Sequence, residues 1–239
     1  MKTSLDGIRD VKIYQNIDGY RFSVDAVLLY AFAEMKYARR IADLGTGSGI
    51  IGLLLAKKYR HSEVALVELQ ESLYKLAVRN VRLNGLDDRV SVTQADIKHL
   101  RDKFDYMSFD MVVSNPPFRK PSTGRLSEGQ ERAVARHEIA LKFSDLSLSA
   151  SYLLKAKGRF FMIYHPGRLA EVFESLRSAR LEPKRLRFVH NSQGAESKIV
   201  LIEAVRESRP GLKIEPPLFI YNPDGSYTEE VSAMYGDGR

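Results

Sequence analysis

The chain of 239 residues is 44% hydrophobic and 28% charged, so it can fold as one large domain with an ordinary core. It has no apolar run near the roughly 20 residues of a membrane-spanning helix and no apolar signal segment at its start, which predicts a cytoplasmic protein without membrane contact. The absence of cysteine excludes disulfides, thiolate metal sites and cysteine nucleophiles, and the five histidines lack metal-ligand spacing, so no metal is expected. A formal net charge of +7 suits a polyanionic partner such as RNA.

Strands and helices alternate along the middle of the chain, each indicated by an apolar run or by apolar residues at helical spacing. The predicted strands are Arg40 to Leu44, Val64 to Glu68, Val90 to Val92, Phe109 to Ser114 and Arg159 to Tyr164. The predicted helices are Ile50 to Tyr59, Glu71 to Asn84, Glu131 to Ala140, Asp145 to Ala156 (ended by Lys157 and Gly158) and Leu169 to Ala179. This alternation predicts an α/β fold with a parallel, doubly wound sheet.

The pattern changes toward the end of the chain. Arg185 to His190 and Lys198 to Val205 read as two strands with no room for a helix between them, so we predict an antiparallel hairpin. Such a closing hairpin is unusual for a dinucleotide-binding dehydrogenase and typical of the Rossmann-like, seven-stranded class I methyltransferase sheet. Residues 39–206 would form this domain, and residues 207–239, with a turn at Asn222 to Gly225, would be a C-terminal hairpin extension of it.

A glycine-rich loop joins the first of the alternating strands to the first helix. It reads Asp43-Leu44-Gly45-Thr46-Gly47-Ser48-Gly49, and its glycines let the backbone turn sharply and approach a ligand. The spacing departs from the G-x-G-x-x-G of a pyrophosphate site, and Asp43 would put negative charge where a diphosphate lies. The loop therefore favours a cofactor with a cationic amino group over a dinucleotide.

Acidic residues stand at or just after the ends of three successive strands: Asp43, Glu68 and Asp96. Open α/β sheets bind ligands at this carboxyl edge, where Glu68 can accept hydrogen bonds from two ribose hydroxyls and Asp96 from an adenine amino group. Each acid alone could equally be a helix cap or a solvated loop residue. Together with the glycine loop, the three predict an S-adenosylmethionine site.

The tetrapeptide Asn115-Pro116-Pro117-Phe118 directly follows the strand Phe109 to Ser114. Proline cannot continue a sheet and keeps the residue before it out of helical geometry, so this segment is stiff and extended. Alone it could be a turn that ends a strand. Downstream of the glycine loop, it predicts a site that holds a flat molecule carrying an NH2 group.

The chemistry that fits these residues is methyl transfer to an amino nitrogen. The Asn115 side-chain oxygen and the Pro116 carbonyl could accept both N–H bonds of an exocyclic amine and localise its lone pair, while Phe118 stacks on the base. A base that starts in a stacked loop would have to flip out to reach them. Methylation at cytosine C5 requires a cysteine adduct, which this chain cannot form.

Four stretches carry a resemblance to the bacterial tRNA adenine-N6 methyltransferases that modify adenine 37 of a valine tRNA. They are Tyr14 to Leu29, Asp43 to Gly49, Asn115 to Phe118 and Ala135 to Glu138. The resemblance covers nearly the whole chain, including the tail from Tyr221 to Tyr227. The Asn-Pro-Pro-Phe element is shared by many amino-methyltransferases, whereas the N-terminal stretch is more specific to this family.

The family implies a role for each candidate site residue. Phe22, Ser23 and Asp25 would line the methionine end of S-adenosylmethionine, within an N-terminal segment, residues 1–38, that closes over the cofactor. The other implied contacts are Asp43, Gly45 and Gly47 at the floor, Glu68 at the ribose, Asp96 at the adenine, and Asn115, Pro116, Pro117 and Phe118 at the target base. Asn115 is also implied to contact the cofactor. His137 and Glu138 could close over the substrate or form a surface ion pair. The implied partner is RNA, most specifically a tRNA.

Other readings stay open from the sequence. The same acceptor residues would serve the N2 of a ribosomal RNA guanine or the amide of a protein glutamine. Only about 40 residues precede the first strand, which leaves no room for the helical substrate domain of the glutamine enzymes, and the basic charge favours RNA. A chain of this fold could also be an inactive RNA-binding module, although the intact glycine loop and Asn115 argue against that reading.

Overall fold

The computed structural model describes residues 3–17, 23–116 and 143–236. The predicted helix from Glu131 to Ala140 lies outside these ranges, as do Phe22, Pro117 and Phe118. What the sequence predicts for those residues stays a prediction.

The described residues form eleven strands and six α-helices. The strands are β1 (Thr3–Ile8), β2 (Val11–Asn16), β3 (Arg40–Leu44), β4 (Glu63–Glu68), β5 (Val90–Gln94), β6 (Phe109–Ser114), β7 (Leu154–Tyr164), β8 (Leu181–His190), β9 (Ser197–Arg206), β10 (Lys213–Ile214) and β11 (Leu218–Phe219). The helices are α1 (Val24–Phe32), α2 (Ile50–Lys58), α3 (Glu71–Leu83), α4 (Phe143–Leu153), α5 (Leu169–Ser178) and α6 (Glu229–Tyr235), with short 3-10 turns at Ile97–Asp102 and Pro166–Arg168. None of the helices within these ranges is long and apolar enough to cross a membrane.

One large sheet organises the molecule, in the order β5-β4-β3-β6-β7-β9-β8-β10, with β11 also paired to β8. The strands from β5 to β7 run parallel, and β9 is antiparallel to both of its neighbours, β7 and β8. The seven strands from β5 to β8 are the predicted Rossmann-like sheet with its C-terminal antiparallel hairpin. The α/β prediction is confirmed, and β10 and β11 add two short strands at one edge.

The chain reverses its direction of travel across the sheet between β3 and β6. From β3 it proceeds through α2 to β4 and through α3 to β5, whereas from β6 it proceeds through α4 to β7 on the other side. Because parallel crossovers are right-handed, these helices lie on opposite faces of the sheet. Such a switch point leaves a crevice at the carboxyl ends of β3 and β6, where ligands bind in folds of this kind.

The boundary between α4 and β7 corrects a prediction. The sequence predicts a helix from Asp145 to Ala156 ended by Lys157 and Gly158, but α4 ends at Leu153 and β7 begins at Leu154. Leu154 is fully buried and pairs with Phe109 of β6, so strand pairing overrides the local helical pattern. Lys157, with φ of +63°, belongs to an irregular stretch where the β6–β7 register shifts.

The two ends of the chain also contain elements that the sequence did not predict. Strands β1 and β2 form a hairpin, and helix α1 follows it. In the tail, the expected turn is present and is closed by a bridge between Tyr221 and Tyr227. The tail is more than a hairpin, however, because β10 and β11 pair in parallel with β8 and α6 packs against α1.

Candidate functional site

The candidate residues for cofactor binding and for acceptor binding lie on neighbouring strands, at the switch point between β3 and β6. Strands β3 and β6 are direct neighbours, and Asp43 pairs with Val113. Two residues further along each strand come Gly45 and Asn115, which therefore leave the sheet side by side at its carboxyl edge. The Ser114 hydroxyl donates a buried hydrogen bond of 2.7 Å to the Leu44 carbonyl, which ties the two strand ends together.

Asp43 is the most deeply buried acid of the site, with 1% of its surface exposed. One carboxylate oxygen, Oδ2, accepts hydrogen bonds from the Thr46 hydroxyl at 2.6 Å and the Gly52 amide at 3.0 Å. The other oxygen, Oδ1, is buried and has no hydrogen-bond partner among the described residues. Burial, reinforced by the nearby charge of Glu68 and opposed by these hydrogen bonds, raises the Asp43 pKa to about 6.

The glycine loop adopts the conformation that its composition predicts. Gly45, Gly47 and Gly49 have φ values of +72°, +61° and +95°, in the region that favours glycine. The amides of Gly45 and Thr46 both donate to the Val67 carbonyl, at 2.9 and 3.0 Å, which anchors the loop on β4. A Cβ at Gly45 would meet no atom within 4 Å, so open space lies above the loop at this point.

Glu68 supports the glycine loop, a role that the sequence did not predict. It is 4% exposed, and its Oε2 accepts the Gly47 amide at 2.9 Å while Oε1 accepts the Gln70 amide at 2.9 Å. Each oxygen has a second lone pair, so the predicted ribose contact stays compatible with this arrangement. The Glu68 carboxylate thus holds the glycine loop in place and can still accept a hydrogen bond from a ribose hydroxyl.

Asp96 lies at the start of the 3-10 turn Ile97–Asp102, where its Oδ1 accepts the Lys98 amide at 3.0 Å. This contact is the helix cap that the sequence left open as an alternative. The residue is half-buried, and its predicted adenine contact stays a prediction. Ser23 is exposed just before α1, and Asp25 is buried in the first turn of that helix.

The acceptor residues begin where β6 ends. Asn115 is half-buried and Pro116 is buried, directly after Ser114. Neighbouring β7 continues past this point to Tyr164, since Ser114 pairs with Met162. Asn115 therefore leaves the sheet at its carboxyl edge, beside the end of β3 and the start of the glycine loop.

Asn80 of α3 is a further site-supporting residue that the sequence did not identify. Its side chain is fully buried, and its Nδ2 donates to the Ser48 carbonyl in the glycine loop at 2.8 Å. The same amide group bonds the backbone of Tyr14 on β2, accepting at 2.7 Å and donating at 3.0 Å. Asn84, one turn later, bonds the backbone of Lys12 in the same manner, at 2.9 and 2.7 Å. Asparagine is a poor helix former, so two of them four residues apart are the signal that could have pointed to this role.

Comparisons with known proteins agree with this geometry. Residues 23–165 match the family model of the methyltransferase small domain. A tRNA1(Val) (adenine(37)-N6)-methyltransferase of Actinobacillus pleuropneumoniae is 30% identical over 215 residues, which cover 90% of this chain and 88% of that protein.

Solved structures agree on the fold. Protein Atu636 of Agrobacterium tumefaciens, a predicted O-methyltransferase, superposes with a TM-score of 0.71 at 24% identity, covering 88% of this chain and 95% of the other. A geranyl diphosphate C-methyltransferase of Streptomyces coelicolor A3(2), solved with Mg2+, geranyl diphosphate and S-adenosyl-L-homocysteine, gives a TM-score of 0.56 at 17% identity, covering 76% and 78%. With the sheet order, the glycine loop and Asn115 at one switch point, the chain belongs to the methyltransferase small domain family and, within it, to the tRNA1(Val) (adenine(37)-N6)-methyltransferases.

Proposed function

We propose that this protein methylates the exocyclic N6 of an adenine in tRNA, using S-adenosylmethionine, and that its target is adenine 37 of a valine tRNA. The observation that carries the proposal is the adjacency of Gly45 and Asn115 at the ends of β3 and β6. This adjacency brings a cofactor loop and an acceptor amide within one interstrand spacing, about 4.8 Å, of each other.

The residues beside the glycine loop fit S-adenosylmethionine. The buried Oδ1 of Asp43 has no hydrogen bond within the described part of the chain, which suits an ammonium or N–H donor of the methionine end. The space above Gly45 leaves room for a ligand against the backbone. In this proposal Asp43, Gly45 and Gly47 form the floor of the site, and Phe22, Ser23 and Asp25 enclose its methionine end. Glu68 binds the ribose, and Asp96 binds the adenine ring.

The cofactor, when bound, supplies a methyl group that its sulfonium has already activated. The task of the protein is then to orient the acceptor amine, whose lone pair is delocalised into the adenine ring. Asn115 Oδ1 and the Pro116 carbonyl each accept one N–H of that amine, which draws the nitrogen toward tetrahedral geometry and exposes its lone pair. Phe118 stacks on the base, worth roughly 1–3 kcal/mol. The proton displaced from nitrogen passes to water, so no general base is required.

A labelling experiment tests this function. The protein is incubated with S-adenosylmethionine carrying a labelled methyl group and, in parallel, with unmodified total tRNA, ribosomal RNA and protein. We expect N6-methyladenosine in the tRNA fraction, at position 37 of a valine tRNA when the product is mapped. Label found only in ribosomal RNA as N2-methylguanosine, or only in protein, would replace the proposed substrate. Absence of label in every fraction, together with no thermal stabilisation by the cofactor, would overturn the enzymatic function itself.

A further inference from the structure

We propose that His165 and Lys198 form a binding site for a phosphate of the RNA backbone at the rim of the acceptor site. The inference rests on the proposed function in one respect, which is that the acceptor is RNA. It assigns a substrate-binding role to two residues outside the cofactor loop and the Asn-Pro-Pro-Phe segment.

Both residues lie at the edge of the sheet that carries Asn115. Ser114 pairs with Met162 of β7, so His165, three residues after Met162, stands about two residues further out than Asn115, roughly 7 Å beyond it. Tyr164 pairs with Val200 of β9. Because β7 and β9 are antiparallel, the first residues of β9, including Lys198, lie beside the end of β7. His165 and Lys198 are therefore one and two strands away from the acceptor strand.

The His165 imidazole is held with one nitrogen directed away from the backbone. Its Nδ1 accepts the Gly167 amide at 3.1 Å, which leaves Nε2 as the nitrogen that carries hydrogen. A Cβ at position 167 would lie 3.2 and 3.3 Å from two atoms of the ring, so glycine at this position lets the ring stay where it is. The side chain is exposed, and Pro166 stiffens the turn below it. His165 thus offers a pre-oriented N–H donor to solvent.

Lys198 contributes a positive charge from the neighbouring strand, at the same edge of the sheet as His165. Its side chain is exposed, and within the described ranges it forms no ion pair, even with Glu196, the acid nearest to it in sequence. Nearby arginines are engaged instead. Arg168 bonds both carboxylate oxygens of Glu171, at 2.9 and 2.5 Å, and Arg187 bonds both of Glu230, at 2.6 and 2.9 Å.

A phosphodiester is the part of an RNA substrate that this pair suits. An ammonium group and an imidazole N–H both donate hydrogen bonds, but they do not present the fixed arrangement of donors and acceptors that reads the edge of a base. Phosphate oxygens accept from such groups in charge-assisted hydrogen bonds. The position of the pair agrees, since a flipped adenine enters the crevice at Asn115 while its backbone stays outside at the rim. The pair would thus position the target nucleotide without reading sequence.

Three variants and a matched control test the site. His165→Asn keeps a side-chain oxygen that can accept the Gly167 amide but lacks the outward N–H. Lys198→Ala removes the charge, and a double variant combines both changes. Lys213→Ala is the control. Lys213 is also an exposed lysine, but in the strand register it lies opposite Arg185, five residues before the carboxyl end of β8, and therefore away from this edge of the sheet.

The measurement is the affinity for unmodified valine tRNA in the presence of S-adenosylhomocysteine, over a series of salt concentrations. We expect Lys198→Ala and His165→Asn each to weaken binding about 3- to 10-fold at low salt, and Lys198→Ala to lower the salt slope by about one. Lys213→Ala should change affinity less than twofold, by about the scatter of such measurements. Thermal stabilisation by S-adenosylmethionine should be the same in all variants, which shows that they are folded and that the cofactor site is intact.

The outcomes separate this inference from the proposed function. If His165→Asn and Lys198→Ala bind tRNA as the Lys213→Ala control does, the phosphate site is wrong, whether or not the unmodified protein methylates tRNA. If both variants lose affinity but the unmodified protein forms no N6-methyladenosine, the site stands and the proposed reaction is wrong. A protein that binds no tRNA at all would overturn both.

Discussion

At the scale of single residues, burial sets the acid–base behaviour of Asp43. Its Oδ1 is buried without a hydrogen bond within the described chain, and burial raises its pKa to about 6. Because this value lies above the ordinary 3.8, the folded protein holds the Asp43 proton more tightly than the unfolded chain. The stability contributed by that proton is complete below pH 3.8 and is lost as the pH rises through about 6. Ionised Asp43 therefore lowers the stability of the free protein, and a cationic ligand beside the carboxylate would offset this cost.

The raised pKa of Asp43 gives a prediction for cofactor affinity. A cationic methionine end favours ionised Asp43, so the affinity for S-adenosylmethionine should fall as the pH drops from 7 to 5, approaching tenfold per pH unit below 6. Asp43→Asn should bind more weakly at pH 7 and should lose this pH dependence. Isothermal titration at pH 5, 6 and 7 measures both effects. Equal affinities of the unmodified protein at pH 5 and 7 would show that Asp43 does not face the cofactor charge.

Asn115 gives the second prediction at this scale. Asn115→Ala removes the oxygen that accepts an N–H of the target amine, so methyl transfer should fall below detection in a single-turnover assay. Cofactor affinity should change little, because the loop contacts of Asp43 and Glu68 do not involve Asn115. A large loss of cofactor binding would mean instead that Asn115 supports the pocket.

At the scale of elements, helix α3 joins the N-terminal hairpin to the glycine loop. Asn80 and Asn84 bond the backbone of β2 in the way that a neighbouring strand would, and Asn80 also reaches the Ser48 carbonyl. The hairpin thus ends close to the cofactor loop before the chain continues to Ser23. Rigid support of this kind is what holds a binding loop in a productive geometry.

Replacing each asparagine in turn should distinguish the support that α3 gives to the glycine loop from its attachment to the N-terminal hairpin. Asn80→Ala leaves three backbone groups without partners, so it should lower the free energy of unfolding by about 2–4 kcal/mol and weaken S-adenosylmethionine binding several-fold. Asn84→Ala is the matched control, since it bonds β2 but not the glycine loop. It should lower stability less and leave cofactor affinity unchanged. Urea unfolding and isothermal titration measure these effects, and equal cofactor affinities in the two variants would contradict the prediction.

The success of sequence-based prediction differs between elements for physical reasons. The bounds of β3 and β6 match the sequence prediction residue by residue, because each is an apolar run that stops just before a chain-breaking signal, Gly45 for β3 and the Asn115-Pro116 pair for β6. Asp43 and Asn115 could be placed for the same reason, since their position at a strand end fixes their place on the sheet edge. The start of β7 could not, because it depends on pairing with Phe109. Asn80 could not either, because its partners lie 66 and 32 residues away.

At the scale of the whole molecule, the two ends of the chain are packed against each other and against the sheet. Arg9, in the turn between β1 and β2, donates to the carbonyls of Ala233 and Met234 at 3.1 and 3.0 Å, at the end of α6. The tail covers the edge of β8 with β10 and β11. An exposed sheet edge invites pairing with other chains, so this cover also protects the protein from aggregation.

Removal of residues 210–239 should therefore lower the melting temperature and promote self-association. The deletion removes buried side chains, including Leu218, Ile220 and Val231, and uncovers the β8 edge. Thermal unfolding and size-exclusion chromatography measure the two effects, with Arg9→Ala as a milder variant that cuts one tie between the ends. An unchanged melting temperature and a monomeric truncated protein would show that the tail is dispensable for the fold.

The hydrogen bond from Ser114 to the Leu44 carbonyl has a consequence for how such enzymes diversify. It fastens together the two strand ends from which the donor loop and the acceptor residues emerge. If the glycine loop holds the methyl donor and Asn115 holds the acceptor amine, as proposed, the distance between the two groups is set by the spacing of neighbouring strands and not by the surface that recognises the substrate. Mutations around the rim can therefore change which macromolecule is bound, while the spacing of the two strand ends, and with it the type of reaction, stays the same.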